Sequence, residues 1–363
     1  MKTTVALSRS ILLMALGLTA SLAACGSDGT TNIGGGGSDG SSTTSTASST
    51  GGAEPGLNFL AEFSEEQVQL PEGLWVTADS KTAFVGHALT GQIIAVKLTD
   101  NTVDDFATVP APPPNKGFVT GITQSAAGDL YVGAATLDPA AYKPGIYKVP
   151  ATGGPVTTLF ASDATMNVPN GLVFDKEGNL FVTDSALGAI FKISPDGATV
   201  TNWITDPLLQ GDVSPTNPCK TVLGVPLGAN GLALSGNAFY VANTDKAALI
   251  KIPIEADGTP GAAVELSTSD PATCLPLKGA DGITADADGS ILVAGNAGNA
   301  LVRVGAEGNA TVLVKDGPLD GPASVALATL GSKKYALVTN FGLVTLLAMK
   351  TPRTGLLSYG PLE

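Results

Sequence analysis

The sequence predicts an all-β fold, a six-bladed β-propeller of four-stranded antiparallel blades that spans residues 56–363. The main observation is a recurring step in which one residue, usually polar, precedes glycine and an apolar run. Six copies begin at Glu72, Thr120, Asn170, Asn230, Asp281 and Ala323, the last with serine in place of glycine. The copies lie roughly 42 to 60 residues apart, a spacing typical of solenoids and propellers.

Each repeat also contains four short β-rich runs. The third repeat is the clearest, with runs at 170–175, 180–184, 189–193 and 198–203, separated by Gly, Asn, Asp and Pro turn residues. Such runs are typical of consecutive antiparallel strands, and four strands per repeat are typical of a propeller blade. A β-sandwich is the alternative for any all-β chain, but it does not predict six copies of one unit.

The two ends of the domain predict how the ring closes. Residues 355–362 are similar to the third strands, and residues 57–63 are similar to the fourth strands. The last blade then takes its outer strand from the N-terminal end, which removes exposed sheet edges. This assignment leaves 341–354 as a loop between the second and third strands. A weaker alternative makes 344–349 the third strand.

The N-terminal residues predict export and lipid anchoring. Residues 1–24 combine basic residues with a short apolar run, as in a signal peptide. Their end resembles the lipobox of bacterial lipoproteins, which implies lipidation of Cys25 and location in the cell envelope, at the outer membrane. A transmembrane helix is the alternative, but the apolar run is short. Residues 25–55 are rich in Gly, Ser and Thr, a composition typical of a disordered linker.

Charge and cysteine content limit the partners. The net charge of −13, with 19 Lys and Arg against 32 Asp and Glu, argues against nucleic acid. Membrane contact is expected through the lipid anchor only, and the protein is expected to be a monomer. Cys219 and Cys274 precede neighbouring repeats, and an exported protein permits a disulfide between them, which is favoured over two free thiols.

The repeat also predicts where a site lies. In a propeller the first strand of each blade lines the axial channel, so the six step residues form one ring at its mouth, here called the axial ring. The ends of the second strands lie on the same face and add His87, Asp184, Asn243 and Asn340. The sequence therefore predicts a polar pocket on the axis that binds a small molecule.

Four members of the axial ring resemble a known family. Glu72, Asn170, Asn230 and Asp281 occur in the order of the metal ligands in the senescence marker protein (regucalcin) and gluconolactonase family. The resemblance implies a divalent cation on the axis. Two carboxylates and two amides suit Ca²⁺ best, with Zn²⁺, Mn²⁺ or Mg²⁺ as alternatives. Each of these residues also fits a simple turn between blades, which is the structural alternative.

The same resemblance implies hydrolysis of a lactone or related ester. Asp281 would serve as general base, and His87, the single histidine of the chain, is a weaker candidate. Lys116 is the nearest substitute for a basic substrate contact of gluconolactonases. The remaining predicted pocket residues are Thr120, Asp184, Asn243 and Asn340. The alternative function is a non-catalytic, NHL-like surface binding or scaffold propeller with a structural cation or none.

Overall fold

The six repeats fold into six antiparallel sheets arranged as the blades of a propeller. The computed structural model describes residues 56–221, 225–348 and 350–362. Five blades are consecutive in the chain, and each begins at the axis with its first strand. The predicted fold class is confirmed.

The strands of the first three blades follow the predicted runs. Blade 1 contains β2 (Pro71–Val76), β3 (Thr82–His87), β4 (Gln92–Lys97) and β5 (Val103–Thr108), with the short β9 (Gly154–Pro155) added parallel to β5. Blade 2 contains β6 (Gly117–Gln124), β7 (Leu130–Thr136), β8 (Gly145–Val149) and β10 (Leu159–Ala161). Blade 3 contains β11 (Pro169–Phe174), β12 (Leu180–Asp184), β13 (Ala189–Ile193) and β14 (Val200–Thr205).

The remaining blades complete the ring, after a 3-10 turn at Pro207–Leu209. Blade 4 contains β15 (Ala229–Ser235), β16 (Ala238–Asn243), β17 (Ala248–Pro253) and β18 (Val264–Thr268). Blade 5 contains β19 (Ala280–Ala285), β20 (Ile291–Gly295), β21 (Ala300–Val304) and β22 (Ala310–Lys315). Blade 6 contains β23 (Pro322–Leu330), β24 (Lys333–Asn340), β25 (Gly355–Leu362) and β1 (Gly56–Glu62).

Ring closure occurs as predicted, because the N-terminal strand β1 pairs antiparallel with β25. Glu62 lies opposite Gly355, and the amide of Phe63 donates to the carbonyl of Thr354 at 3.1 Å. The alternative third strand at 344–349 is wrong, because the chain forms a short helix there, α1 (Leu343–Leu347). Leu346 of this helix is buried against Leu70, so packing holds the segment over the blades.

The hydrophobic core is divided among the contacts between neighbouring blades. Six clusters of buried side chains each join two successive blades, including one that joins blade 6 to blade 1. Between blades 3 and 4, for example, Phe181, Trp203 and Phe239 pack with ring centroids 4.6 to 5.5 Å apart. Each blade is thus stabilised by burial against both neighbours, as in other repeat architectures.

Every first strand carries a β-bulge at the repeated step. In blade 1, Pro71 lies opposite His87 and Leu74 opposite Val85, so the first strand has one extra residue. The same extra residue occurs at the corresponding step of the other five blades. A bulge bends the strand and changes the direction of its side chains. The bulge is therefore the local structure that separates the axial ring residues from the regular alternation of the strand.

The glycine of the step permits the close approach of neighbouring blades. A Cβ atom on Gly231 would lie 2.3 Å from the carbonyl oxygen of Asp281 in the next blade. At Gly121 it would lie 2.4 Å from the carbonyl oxygen of Asn170. Such distances are far inside van der Waals contact. Glycine is required here because the backbone of one blade rests on the backbone of the next.

A disulfide joins two loops on the face where the first strands begin, here called the entrance face. Cys219 and Cys274 are bonded with their Cα atoms 5.5 Å apart, which confirms the predicted pairing. The bond ties the loop before β15 to the loop before β19. Asp245 also holds the first loop, since its carboxylate accepts from the amides of Thr221 and Leu227.

The predicted signal peptide, the lipidated Cys25 and the linker lie outside the described residues. Among the residues that are described, none of the helices has the length and apolar character needed to cross a bilayer.

We expect Gly231→Ala to destabilise the protein by at least about 2 kcal/mol, because the new methyl group must displace the backbone of blade 5. The matched control is Gly305→Ala, where the nearest atom to a new Cβ lies 3.8 Å away. Thermal unfolding followed by circular dichroism measures both variants. Equal melting temperatures for the two would contradict the close approach of blades 4 and 5.

Candidate functional site

The four predicted ligand residues occupy the bulges of blades 1, 3, 4 and 5 around one axial channel. The channel encloses a cavity of about 300 Å³. The first strands of all six blades line it, and Asn170 and Asp281 are among its lining residues. Glu72, Asn170 and Asn230 are buried, and Asp281 is partly exposed. The bulges thus bring side chains from four separate repeats to one region of the axis.

Two acidic side chains of this ring are close enough to influence each other. Burial raises the pKa of Glu72 well above its usual range, and the negative charge of Asp281 raises it further. Burial also raises the pKa of Asp281 to about 7, although hydrogen bonds from Asn230 and Asn296 partly oppose the shift. No salt bridge among the described residues reaches either carboxylate. A positive charge bound between Glu72 and Asp281 would therefore stabilise the ionised forms of both carboxyl groups.

The two amide side chains are oriented by hydroxyl groups. The Nδ2 of Asn170 donates to Ser185 Oγ at 3.4 Å, and the hydroxyl of Ser185 donates to the carbonyl of Ala229 at 2.8 Å. In the next blade the Nδ2 of Asn230 donates to Thr244 Oγ1 at 3.0 Å. The Thr244 hydroxyl donates onward to the carbonyl of Ala280 at 2.7 Å. Both amide nitrogens are engaged in this way, so the oxygens are the atoms left for a ligand.

Two oxygens of the ring are buried without a hydrogen-bond partner. They are Glu72 Oε2 and Asn230 Oδ1. A buried polar atom without a partner is costly and is uncommon in native proteins. A cation bound between them would satisfy both atoms and would offset the repulsion between Glu72 and Asp281.

The donor set fits a hard divalent cation. It contains two carboxylates and two amide oxygens, which is an all-oxygen set with two negative charges. Within the part of the chain that is described, His, Cys, Asp and Glu form no group of three or more that could hold a metal. The candidate centre therefore depends on the asparagines to complete its ligands.

Sequence reasoning missed the residues that orient the ring. Ser185 and Thr244 each directly follow a second strand, and Asn296 does so in blade 5, where its Nδ2 donates to Asp281 Oδ2 at 3.3 Å. The predicted pocket positions were the last residues of the second strands. The signal that could have found them is the polar residue one position later, at the same place in three successive blades.

The last residues of the second strands hold loops instead of facing the axis. Asp184 accepts from the amides of Asn167, Val168, Ala186 and Leu187, so the contact to Asn170 is made by Ser185 instead. Asn243 donates to the carbonyls of Leu208 and Gln210, and Asn340 to those of Pro318 and Arg353. All three side chains are fully buried. Their polar atoms are used by the backbone, which removes them from the expected polar pocket in this conformation.

The other two ring positions contribute no ligand atom to the axis. The hydroxyl of Thr120 is buried and donates to the carbonyl of Pro169 at 2.7 Å. Ala323 has only a methyl group. The ring of ligand atoms is therefore open on two sides, at blade 2 and at blade 6.

His87 is fully buried and packs edge-on against Phe63, with ring centroids 4.8 Å apart. Neither ring nitrogen has a hydrogen-bond partner, and burial lowers the pKa of His87 to about 3. The imidazole is therefore neutral at physiological pH. With no solvent-accessible surface in this conformation, it cannot contact a substrate in the channel.

Lys116 lies in the loop just before β6, at the entrance face. Its ammonium group pairs with Asp138 at 2.8 Å, and both side chains remain partly exposed. Lys116 therefore lies at the entrance face with its charge already paired to Asp138.

The fold of this chain is shared with several solved structures. No family model matches the chain, and no curated protein sequence matches it. A luciferin-regenerating enzyme matches 85% of this chain and 96% of its own, at 16% identity and a TM-score of 0.58. The calcium-binding protein regucalcin from Agrobacterium tumefaciens strain C58 matches 85% and 92%, at 20% identity and a TM-score of 0.57. A gluconolactonase from Xanthomonas campestris matches 85% and 90%, at 15% identity and a TM-score of 0.54.

The structural neighbours of this chain include regucalcin-like and gluconolactonase-like propellers. At these identities the likeness shows a shared fold. The family resemblance predicted from the sequence is thus matched at the level of the fold.

We expect the metal-free protein to lose stability as pH rises from about 4 to 7. The unfolded carboxyl groups ionise near pH 4, whereas Glu72 and Asp281 retain protons to higher pH when folded, so the folded state binds more protons in this window. The double variant Glu72→Gln, Asp281→Asn removes this penalty. In EDTA its melting temperature should exceed that of the wild type by several degrees at pH 7.5, with a smaller gap at pH 4.5.

The control for this measurement is Glu307→Gln, which removes an exposed carboxylate far from the axis. If the melting temperatures of the double variant and the wild type differ by the same amount at both pH values, the raised pKa values are contradicted.

Proposed function

We propose that this protein is a metal-dependent hydrolase of a lactone or related ester, with a divalent cation held by Glu72, Asn170, Asn230 and Asp281. One observation carries the proposal. The buried carboxylate of Glu72 and the partly exposed carboxylate of Asp281 repel each other, and they share a site with the amide oxygen of Asn230, which has no hydrogen-bond partner. The all-oxygen donor set favours Ca²⁺ over the alternatives Zn²⁺, Mn²⁺ and Mg²⁺.

The chain's own groups would have distinct roles in such a reaction. A bound divalent cation would polarise an ester carbonyl and make a water ligand more acidic. Glu72, Asn170 and Asn230 would hold the cation, with Ser185 and Thr244 keeping the amide oxygens on the axis. Asp281 would accept the proton of the attacking water as general base. It lines the channel cavity, and Asn296 holds one of its carboxylate oxygens.

Structural neighbours support the class of reaction. Regucalcin is described as a calcium-binding protein, and the Xanthomonas campestris protein is described as a gluconolactonase. Together with the donor set on the axis, these likenesses favour a hydrolase over an NHL-like binding or scaffold propeller.

We also propose that the protein is exported and anchored to the bacterial cell envelope, at the outer membrane, through a lipid on Cys25. The sequence of residues 1–25 supports this, and the Cys219–Cys274 disulfide is consistent with an oxidising compartment. Gly56 lies at the end of β1 that pairs with Gly360, opposite the entrance face. A tether leaving from there would allow the candidate site to face away from the membrane.

Metal analysis and activity assays test the proposed hydrolase. We expect the wild type to retain about one Ca²⁺ per chain, with a loss of affinity of at least tenfold in Glu72→Gln and Asp281→Asn. Thr244→Val should weaken binding by about 10- to 100-fold, because it frees the amide of Asn230. Calorimetry measures affinity, and a lactone panel with Ca²⁺, Zn²⁺ and Mn²⁺ measures turnover.

Thr201→Val, on the outer strand of blade 3, is the control and should bind metal like the wild type. A protein that binds the cation but hydrolyses no lactone or ester with any metal would overturn the hydrolase and favour the NHL-like alternative. A wild type without affinity for divalent cations would overturn the metal centre itself.

We expect Cys25→Ala to abolish labelling by radioactive palmitate and to shift the protein from the membrane fraction to the soluble fraction. The reason is that the cysteine sulfur is the proposed attachment point of the lipid. Cys219→Ala serves as the matched control, because it removes a cysteine without touching the anchor. Unchanged labelling of Cys25→Ala would exclude this anchor.

A further inference from the structure

An apolar cluster lies at the entrance face above blades 2, 3 and 4. Buried Ala135, Val168 and Leu227 form one cluster there, and Phe118, Ala186 and Val225 pack against it while remaining partly exposed. The cluster draws residues from three successive blades and is separate from the six clusters between blades.

This cluster, here called the entrance cluster, lies beside the axial ring. Phe118 is two residues before Thr120 on β6, and Val168 stands two residues before Asn170. Ala186 follows Ser185, whose hydroxyl contacts the side chain of Asn170. A molecule that reached the ring from the side of blade 2 would therefore contact apolar side chains first.

The opposite side of the entrance has the same character. Above blades 6 and 1, Leu70 and Leu346 are buried together, with Phe341 and Leu89 partly buried against them. Val344 of α1 extends this surface and is 46% exposed, whereas Leu137, which follows β7, is 47% exposed at the entrance face of blade 2. Both open sides of the ring, at blades 2 and 6, are thus bordered by apolar groups.

Four polar side chains at this face are already engaged with the protein. Asp184, Asn243 and Asn340 are fully buried and bonded to backbone groups, and Lys116 is paired with Asp138. A substrate rich in hydroxyl groups would lose its hydrogen bonds to water here without gaining equivalent ones. A substrate with a hydrocarbon substituent would gain by burying it.

We infer that the substrate of this site is a lactone or ester with an apolar alkyl or aryl substituent, which binds against Phe118, Ala186 and Val225 of the entrance cluster. The inference rests on the proposed hydrolase and names the class of substrate that this hydrolase takes. It separates this chain from an enzyme of polyhydroxylated sugar lactones.

Three lactones with the same ring size test the inference: δ-decalactone, δ-valerolactone and glucono-δ-lactone. Catalytic efficiency, divided by the uncatalysed rate of each compound, should be highest for δ-decalactone and at least tenfold lower for glucono-δ-lactone. Phe118→Ala and Val225→Ser should each lower the efficiency for δ-decalactone about tenfold, mainly through KM, with a smaller effect on δ-valerolactone.

The matched control is Val264→Ser, the same substitution at an exposed valine of the outer strand β18. It should leave all three efficiencies unchanged. Val225 lies in a loop and its side chain is already partly exposed. Val225→Ser therefore keeps the test valid if Phe118→Ala fails to fold. A preference for glucono-δ-lactone, or equal effects of Val225→Ser and Val264→Ser, would overturn the inference and leave the hydrolase standing.

A protein that hydrolyses none of the three, and no other lactone or ester with any of the metals, would overturn the hydrolase, and calorimetry then separates the two proposals. Binding of 5-hydroxydecanoate at least tenfold tighter than gluconate, weakened by Val225→Ser, would support the apolar site without the reaction. Equal affinity for the two acids would overturn the apolar site as well.

Discussion

The close approach of the six first strands around the axis is the constraint on which the rest of the structure depends. At each step from blade 1 to blade 5, a glycine lies against backbone of the next blade at a distance that no Cβ atom could share. These contacts are made by the glycine of one step and the backbone of the next step, so the side chain of the residue before each glycine takes no part in them. A bulge then turns that residue out of the regular strand pattern. Structure and site are therefore divided between two adjacent residues.

Hydroxyl groups extend this arrangement from blade to blade. Thr120 donates to the carbonyl of Pro169, Thr244 to that of Ala280, and Thr339 to that of Glu72 across the closure of the ring. Thr244 also accepts from the amide of Asn230, so one side chain joins two blades and orients a proposed ligand. Any movement between blades 4 and 5 would thus be transmitted to the candidate centre. This coupling explains how a site built from four distant segments can be held in one geometry.

The site combines a charged centre with apolar surroundings. Burial disfavours the ionised forms of Glu72 and Asp281, and a divalent cation would reverse that preference. Around the ring, polar residues at the ends of the second strands form hydrogen bonds with loop backbone. Side chains such as Phe118 remain partly exposed at the surface. In the proposed hydrolase, a cation on the axis would supply electrostatic attraction, and hydrophobic contact at the entrance cluster would recognise the substrate.

The sequence by itself determined the number of blades, their strands, the closure by β1 and the positions of the six step residues, because these follow from a local pattern repeated six times. It also indicated the Cys219–Cys274 pair, since both cysteines precede neighbouring steps. Only the tertiary structure decided which polar residues face the axis. Asp184 and Ser185 are adjacent and both polar, yet the first holds a loop and the second contacts Asn170. That difference depends on which backbone amides and carbonyls of the neighbouring loops and blade come within hydrogen-bonding distance, and a single strand's pattern carries no information about that distance.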